Sequence, residues 1–367
     1  MKKFLLLAIC VMAVIFAGCE HNAPSISNKV VTVAAEDITS SSALLFGEFN
    51  VDISGYDDVK FGMMISENKE DLDSCKGLFG LANMMGDKEF VVGVYNLSPE
   101  TEYYYCAWLL LNDVYEYGSI KNFTTEKENV DITLDPLSFS IASSKQVRFS
   151  KGNLQYHPTN NKWRFAEKQT DYLGVANSNI SSTYDGWLDL FGWSTDATNF
   201  GVSSSKDNND YSGSFVDWGT NIIGTDEPNT WRTLTYDEWN YLMFNRYMAK
   251  ILKGNANING VKGLILLPDG WVCPEGVTFK FGFHSDFCQS FTAEQWVKLE
   301  QSGAIFLPAA GGRYGLIIDH VQNYGLYWSA TDNNSNYAHF LFFHSDEARI
   351  PGHNRYYGNS VRLVKDM

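Results

Sequence analysis

Positive charge is scarce in this chain of 367 residues: 28 Lys and Arg stand against 43 Asp and Glu, for a formal net charge of -15 at pH 7. A polyanionic backbone would meet a repulsive field, so nucleic acid is excluded as a partner. Charged residues of both signs make up only 19% of the sequence. No internal repeat and no low-complexity tract is present, so neither a solenoid nor a fibrous array is expected. Cysteine is sparse too, at 6 residues. Cys10 and Cys19 belong to the N-terminal stretch, and Cys75, Cys106, Cys273 and Cys288 remain. Chains of this size do not need disulfide staples, so pairs of Cys273 with Cys288 and Cys75 with Cys106 stand beside free buried thiols as alternatives. What the chain has in abundance is aromatic side chains, 15% of all residues, with 10 Trp, 20 Tyr and 24 Phe. That balance fits large extracytoplasmic β-rich domains.

The N-terminus carries the strongest functional signal. Lys2 and Lys3 form a basic start, FLLLAICVMAVIFA is an apolar run short for a membrane span, and small Ala17 and Gly18 precede Cys19. The run resembles a bacterial lipoprotein signal, with Phe16 standing where that pattern usually has an aliphatic residue. The resemblance implies cleavage after residue 18, lipidation of Cys19 and a membrane partner through that lipid. A plain secretory leader or an uncleaved anchor is the alternative. The expected location is the cell envelope, with an outer-membrane anchor and either a periplasmic or a surface-exposed body.

After a short tether at 19–27, residues 28–126 alternate short apolar runs with Ser, Gly, Asp and Asn, the spacing of a β-sandwich. SALLFGEF, VKFGMMIS, EFVVGVYNL and TEYYYCAWLLL are the clearest strands. Leu97, Pro99, Thr101 and Tyr103 make the pattern L-x-P-x-T-x-Y, which resembles the tyrosine corner of fibronectin type III domains. The resemblance implies that the Tyr103 hydroxyl ties back to upstream backbone. Period two then sends Tyr103, Tyr105, Ala107 and Leu109 inward and Cys106 outward.

Residues 127–134 read as a linker, and 135–367 as a second domain. There HPTNN supplies a turn between Leu154/Tyr156 and Trp163/Phe165. Thr235 with Glu238 makes one capping box, and Trp239, Leu242 and Met243 follow at helical spacing, an apolar face expected to pack under a sheet. Thr292 with Gln295 makes the other, and Gly303 suits a left-handed helix end. LILLPDGW, AIFLPAA, GLYWSAT, YAHFLFFH and NSVRLV read as strands.

WRTLTYDEWNYLMFNR resembles the R-L-P-T-x-x-E-W-E helix entry of the sulfatase-modifying-factor family, the formylglycine-generating enzymes, and YWSAT through GNSVRLV resembles its closing strands. FSKGNLQY, YDGWLDLFGWST, WRTLTYDEW, LLPDGW, FLPAAGGRYG and YWSAT resemble secreted domains related to the Fibrobacter major paralogous domain. The resemblance implies a C-type-lectin-like α+β fold, with two helices, a small antiparallel sheet and long aromatic loops, following the all-β sandwich. It does not carry the enzyme activity across. Formylglycine generation needs a copper-binding cysteine pair near the C-terminus, and no cysteine follows Cys288.

Of the remaining motifs, EPN at 227–229 resembles the calcium- and sugar-binding triplet of C-type lectins but lacks its W-N-D partner, and reads as a loop turn. Asp207, Asn209 and Asp210, like Asp332 and Asn334, offer oxygen at alternate positions without the Gly and Glu of an EF-hand. They are weak calcium candidates, and calcium is the one cofactor the loops allow. Asp185 and Asp189, four apart beside Trp187 and Trp193, match a glycosidase pair or a solvated helical edge. His339 and His344 fall on opposite strand faces and cannot share a metal. GGRYG, residues 311–315, lacks the Lys and hydroxyl of a phosphate loop and reads as a turn, and Arg362 reads as a core residue. The expected function is non-catalytic binding or adhesion, with a glycan or an envelope protein as ligand. Trp187, Trp193 and Trp218 are expected as exposed stacking rings and Asp185 as a hydroxyl acceptor. An enzyme, either of altered sulfatase-modifying-factor type or glycan-cleaving, and a structural component of a surface assembly are the alternatives.

Overall fold

The computed structural model describes residues 26–40, 42–56, 59–74, 77–85, 88–95, 97–127, 137–193 and 200–367. The leader, Cys19, Cys75 and nearly all of the expected linker lie outside these residues. The chain divides into two compact units, Met1–Ile132 and Thr133–Met367.

The first unit is a β-sandwich. One sheet orders its strands as Val30–Thr32, Ser42–Phe49, Glu89–Tyr95 and Asn83–Met84. The other runs from Leu78–Leu81 through Lys60–Ser66 to Glu102–Leu111, whose two halves pair with Lys121–Thr124 and Val114–Tyr117. All pairings between these strands are antiparallel. The alternation in EYYYCAWLLL works as its sequence demands: Tyr103, Tyr105, Ala107 and Leu109 enter one core with Leu45, Phe49 and Phe90. The tyrosine corner forms as the resemblance implied. Ser98 N donates to Tyr103 Oη at 2.9 Å, and that hydroxyl donates to Glu67 Oε1 at 3.0 Å. Cys106 needs a correction. It faces the opposite side of the sheet, yet it is buried with Met64, Leu72, Trp108 and Tyr117. The reason is α1 (Lys69–Asp73), capped by Asn68, which lays Leu72 over that face.

The second unit uses several small sheets. Its C-terminal strand Val364–Asp366 pairs with Lys145–Phe149, so the two ends of the unit meet. Lys253–Ile258, Val261–Leu266 and Ile305–Pro308 form a core sheet, and Gly325–Asp332 with Tyr337–Phe343 forms another. HPTNN makes the expected hairpin, with Tyr156 opposite Trp163 and Leu154 opposite Phe165. Both capping boxes close. Thr235 starts α2 (Tyr236–Asn240), which widens into a π-turn over Tyr241–Asn245, and Thr292 starts α3 (Ala293–Gln301). Gly303 has φ +90°, the left-handed value a helix end requires. Trp239, Leu242 and Met243 pack with Leu264, Leu266, Leu307, Tyr327 and Phe343, under the sheets as their spacing demands. Two expected elements differ. NSVRLV is regular strand only from Val364, because Asn359 and Ser360 make isolated bridges to Phe191 and Tyr327. GGRYG is more than a turn: Gly312–Tyr314 is a strand paired with Ile317–Asp319.

Candidate binding site

Four loops of the second unit converge, and two buried arginines hold them. Arg313 is fully buried, and its Nη1 donates to Ser203 O at 2.8 Å and to Gly315 O at 2.9 Å. Burial presses its guanidinium down to about 10, still a cation at neutral pH. Arg355 donates to Tyr211 O at 3.2 Å and to Asn334 O at 2.7 Å, and its guanidinium lies 4.3 Å from the centre of the Trp193 ring. Irregular backbone lacks a ladder partner, so buried donors that reach several carbonyls take the place of a sheet. Backbone bonds between Arg313 and Gly358, each 2.8 Å, sew the last loop to the hairpin tip. The side-chain amide of Asn208 donates to Asn354 Oδ1 at 3.0 Å and ties in the remaining loop.

Above this frame lies a group of tyrosines. Tyr314 closes the strand Gly312–Tyr314, Tyr337 opens the strand Tyr337–Phe343, and Tyr356 and Tyr357 follow the strand Gly352–Asn354. Ring centres are 5.7 Å apart for Tyr314 and Tyr356, 5.3 Å for Tyr314 and Tyr357, and 5.1 Å for Tyr356 and Tyr357. His353 stacks beneath Tyr357 at 3.8 Å, and burial holds its imidazole neutral, down to about 4. Tyr314 and Tyr337 are exposed, at 37% and 39%. Desolvation raises the Tyr356 phenol, with further contributions from Tyr357, Tyr314 and Tyr337. Lys206 Nζ sits 4.3 Å from the Tyr314 ring centre. Its stem crosses Gly315, where φ is +62° and an added Cβ would fall 2.4 Å from Lys206 Cε. Beside the rings opens a depression of about 710 Å³ lined by Ser205, Lys206, Asp207, Asn208, Asn209, Asn336 and Tyr356. Such a surface offers ring faces, amide donors and acceptors, and one cation.

The residues expected to bind are scattered by the structure. Trp193 and Trp218 are corrections: they are 1% and 0% exposed, core rings whose Nε1 groups donate to Ser329 O and Phe200 O. Trp187 alone of the three stays half-buried, with Arg164 3.8 Å over its ring and His157 edge-on at 5.1 Å. Asp185 is exposed and sits 3.6 Å from His157 Nε2. Asp189 is not its catalytic partner, nor do the two share a helix. It is fully buried, held by Asn177 Nδ2 at 2.8 Å and Leu173 N at 2.9 Å, and burial lifts its carboxyl to about 6. Asp207 caps a one-turn helix over Asn208–Tyr211, and Asp210 accepts from Ser205 Oγ. Among the described residues no group of three or more His, Cys, Asp or Glu is placed to hold a metal ion. EPN is a turn, with Thr230 N bonded to Glu227 O. Arg362 is a core residue that donates to Gln169 Oε1 at 2.7 Å. His339 packs on Tyr236 and His344 near Tyr324. Cys273 and Cys288 are free and unbridged. The tyrosine group is hidden at the level of sequence because its members come from separated stretches. The available signal is a Tyr beside Gly or Asn in GGRYG, NSNYAH and NRYYGN.

No family model matches the chain, and no curated protein matches it. Solved structures do. The sensor domain of the anti-sigma factor RsgI4 of Pseudobacteroides cellulosolvens is 17% identical, covering 28% of this chain and 100% of that one, with a TM-score of 0.22. A fibronectin type III domain of the human KIAA0970 protein is 19% identical over 29% of this chain and 80% of its own, at a TM-score of 0.21. The domain of human fibronectin type III domain containing protein 3 is 14% identical over 30% and 94%, at 0.22. The two human fibronectin type III domains each align with about three-tenths of this chain.

Proposed function

We propose that this chain is an envelope lipoprotein, anchored through a lipid on Cys19, whose C-terminal unit is a C-type-lectin-like head that binds glycans without catalysis. The observation that carries the reading is the tyrosine group, three rings within 5.1 to 5.7 Å of one another, beside an open polar depression. Aromatic faces take the apolar side of a pyranose, and the Asn and Ser groups of the loops take hydroxyls. The anchor rests on the sequence around Cys19, and no described helix is long and apolar enough to cross a membrane.

The test is a glycan array probed with the full chain, with and without calcium. Binding that falls about tenfold in both Tyr314→Ala and Tyr356→Ala, with unchanged melting, supports the head as drawn; about 1.4 kcal/mol corresponds to such a factor. A blank array in both conditions sinks it. Fractionation tests the anchor: Cys19→Ala should move the protein from the membrane to the soluble fraction.

A further inference from the structure

A second surface shares no lining residue with the tyrosine group. Arg164 leaves the strand Lys162–Phe165 with its guanidinium carbon 3.8 Å from the centre of the Trp187 ring, and its Nε donates to Gln155 Oε1 at 2.8 Å. Stacking and this bond together fix the plane of the fork. Both Nη groups keep no protein partner among the described residues, and no described carboxylate oxygen lies within 4.0 Å. Other arginines of this acidic chain are engaged: Arg232 by Glu238 and Asp366, Arg246 by Asp269, Arg355 by backbone carbonyls. Arg164 opens onto a depression of about 500 Å³ that also presents Gln155, Glu167, Thr170, Asp171 and Tyr172.

We infer that this depression binds a sugar carrying a single carboxylate, a uronate, with its carboxylate on the Arg164 fork and its hydroxyls on Glu167, Asp171 and Thr170. An immobilised guanidinium with both Nη groups open matches a planar carboxylate in a bidentate pair, and little side-chain freedom remains to be lost on binding. The two acids are hydroxyl acceptors. They also disfavour the several sulfates per disaccharide of a polysulfate, so the class is a hydroxyl-rich sugar with one carboxylate per residue.

This inference stands apart from the tyrosine site, and the experiment keeps the two separate. Affinity electrophoresis of the full chain is run in gels containing polygalacturonate, its methyl ester, or heparin. The expected result is retardation by polygalacturonate, at least tenfold weaker with the methyl ester and with heparin. Arg164→Gln should weaken polygalacturonate binding at least tenfold, Arg164→Lys less, and Tyr356→Ala not at all. Equal retardation by the ester overturns the proposal, and so does preference for heparin. Unchanged binding in Arg164→Gln overturns it too, as does loss in Tyr356→Ala, which would move the ligand to the tyrosines. Should Arg164→Gln fail to melt cooperatively, Arg164→Lys and the ester comparison on the wild type decide. A blank array of neutral glycans leaves this inference in place.

Discussion

The two units solve the same problem, satisfying buried backbone, by opposite means. In the sandwich the strands largely satisfy one another, so its core is built mainly of alternating apolar side chains such as Leu45, Phe90, Ala107 and Leu109. In the second unit long loops cross the interior, and cations do the work that ladders do elsewhere. Arg313 and Arg355 are 0% and 3% exposed and donate to backbone carbonyls, and Lys253 Nζ donates to Met243 O and Ala249 O at 2.7 and 2.6 Å. Burial holds the Lys253 amine down, to about 7. A unit built this way can present irregular loops in fixed positions, but it depends on a few side chains.

The comparison breaks most sharply at Arg313. Arg313→Ala leaves Ser203 O and Gly315 O without donors and opens a void under the tyrosines, for an expected loss of about 3–5 kcal/mol. Every tryptophan except Trp108 lies in the second unit, so urea unfolding followed by Trp fluorescence reads that unit almost alone. A loss below about 1 kcal/mol would show that the cation is dispensable and the comparison false.

A smaller effect comes from Asp189, whose burial lifts its carboxyl from 3.8 to about 6. The folded state therefore binds the proton more tightly than the unfolded state does. Between those values the native protein holds more protons, so stability falls as pH rises through the window. The contribution is full below pH 4 and gone above pH 6, and a carboxyl raised that far is worth about 3 kcal/mol at most. Asp189→Asn removes the titration, though its amide nitrogen must face one of the donors Asn177 Nδ2 and Leu173 N. The wild type minus variant difference in unfolding free energy should therefore shrink by about 2 kcal/mol between pH 4 and 7. A flat difference would mean that the carboxylate is ionised throughout.

In the sandwich the matching lesion is milder. Tyr103→Phe keeps the ring and deletes only the hydroxyl that links Ser98 N and Glu67, for an expected cost of about 1–2 kcal/mol. The read-out is the melting of the first unit followed by far-UV circular dichroism. A cost equal to that of Arg313→Ala would erase the contrast between the units.

What was legible in the sequence follows the same division. Local signals came through wherever they decide local structure: L-x-P-x-T-x-Y became a tyrosine corner, and both capping boxes and the HPTNN hairpin formed. Exposure was not legible. Trp187 and Trp193 stand six residues apart in one motif, yet Trp193 finds Ser329 O and the Arg355 guanidinium while Trp187 meets Arg164 and His157. Those partners come from distant stretches of the chain, which periodicity in one stretch cannot supply. The tyrosine group was hidden for the same reason, and Arg313 because nothing in GGRYG marks an arginine as buried.

The smallest expected effect probes whether local capping matters in a unit held so heavily by long-range cations. Thr235 Oγ1 accepts from Glu238 N at 3.2 Å, and Glu238 Oε2 accepts from Thr235 N at 2.9 Å. The same carboxylate also meets Arg232 at 2.7 Å, and Arg232 in turn binds Asp366 on the C-terminal strand. Glu238 is thus both a cap and a tie between α2 and the end of the chain. Thr235→Ala removes one cap bond and should cost about 1 kcal/mol. Glu238→Gln keeps the cap but weakens a partly exposed ion pair, so it should cost less, about 0.5 kcal/mol. If Glu238→Gln proves the more damaging, the tie to Arg232 outweighs the cap, and the unit relies on long-range charge even at a helix start that the sequence marks unambiguously.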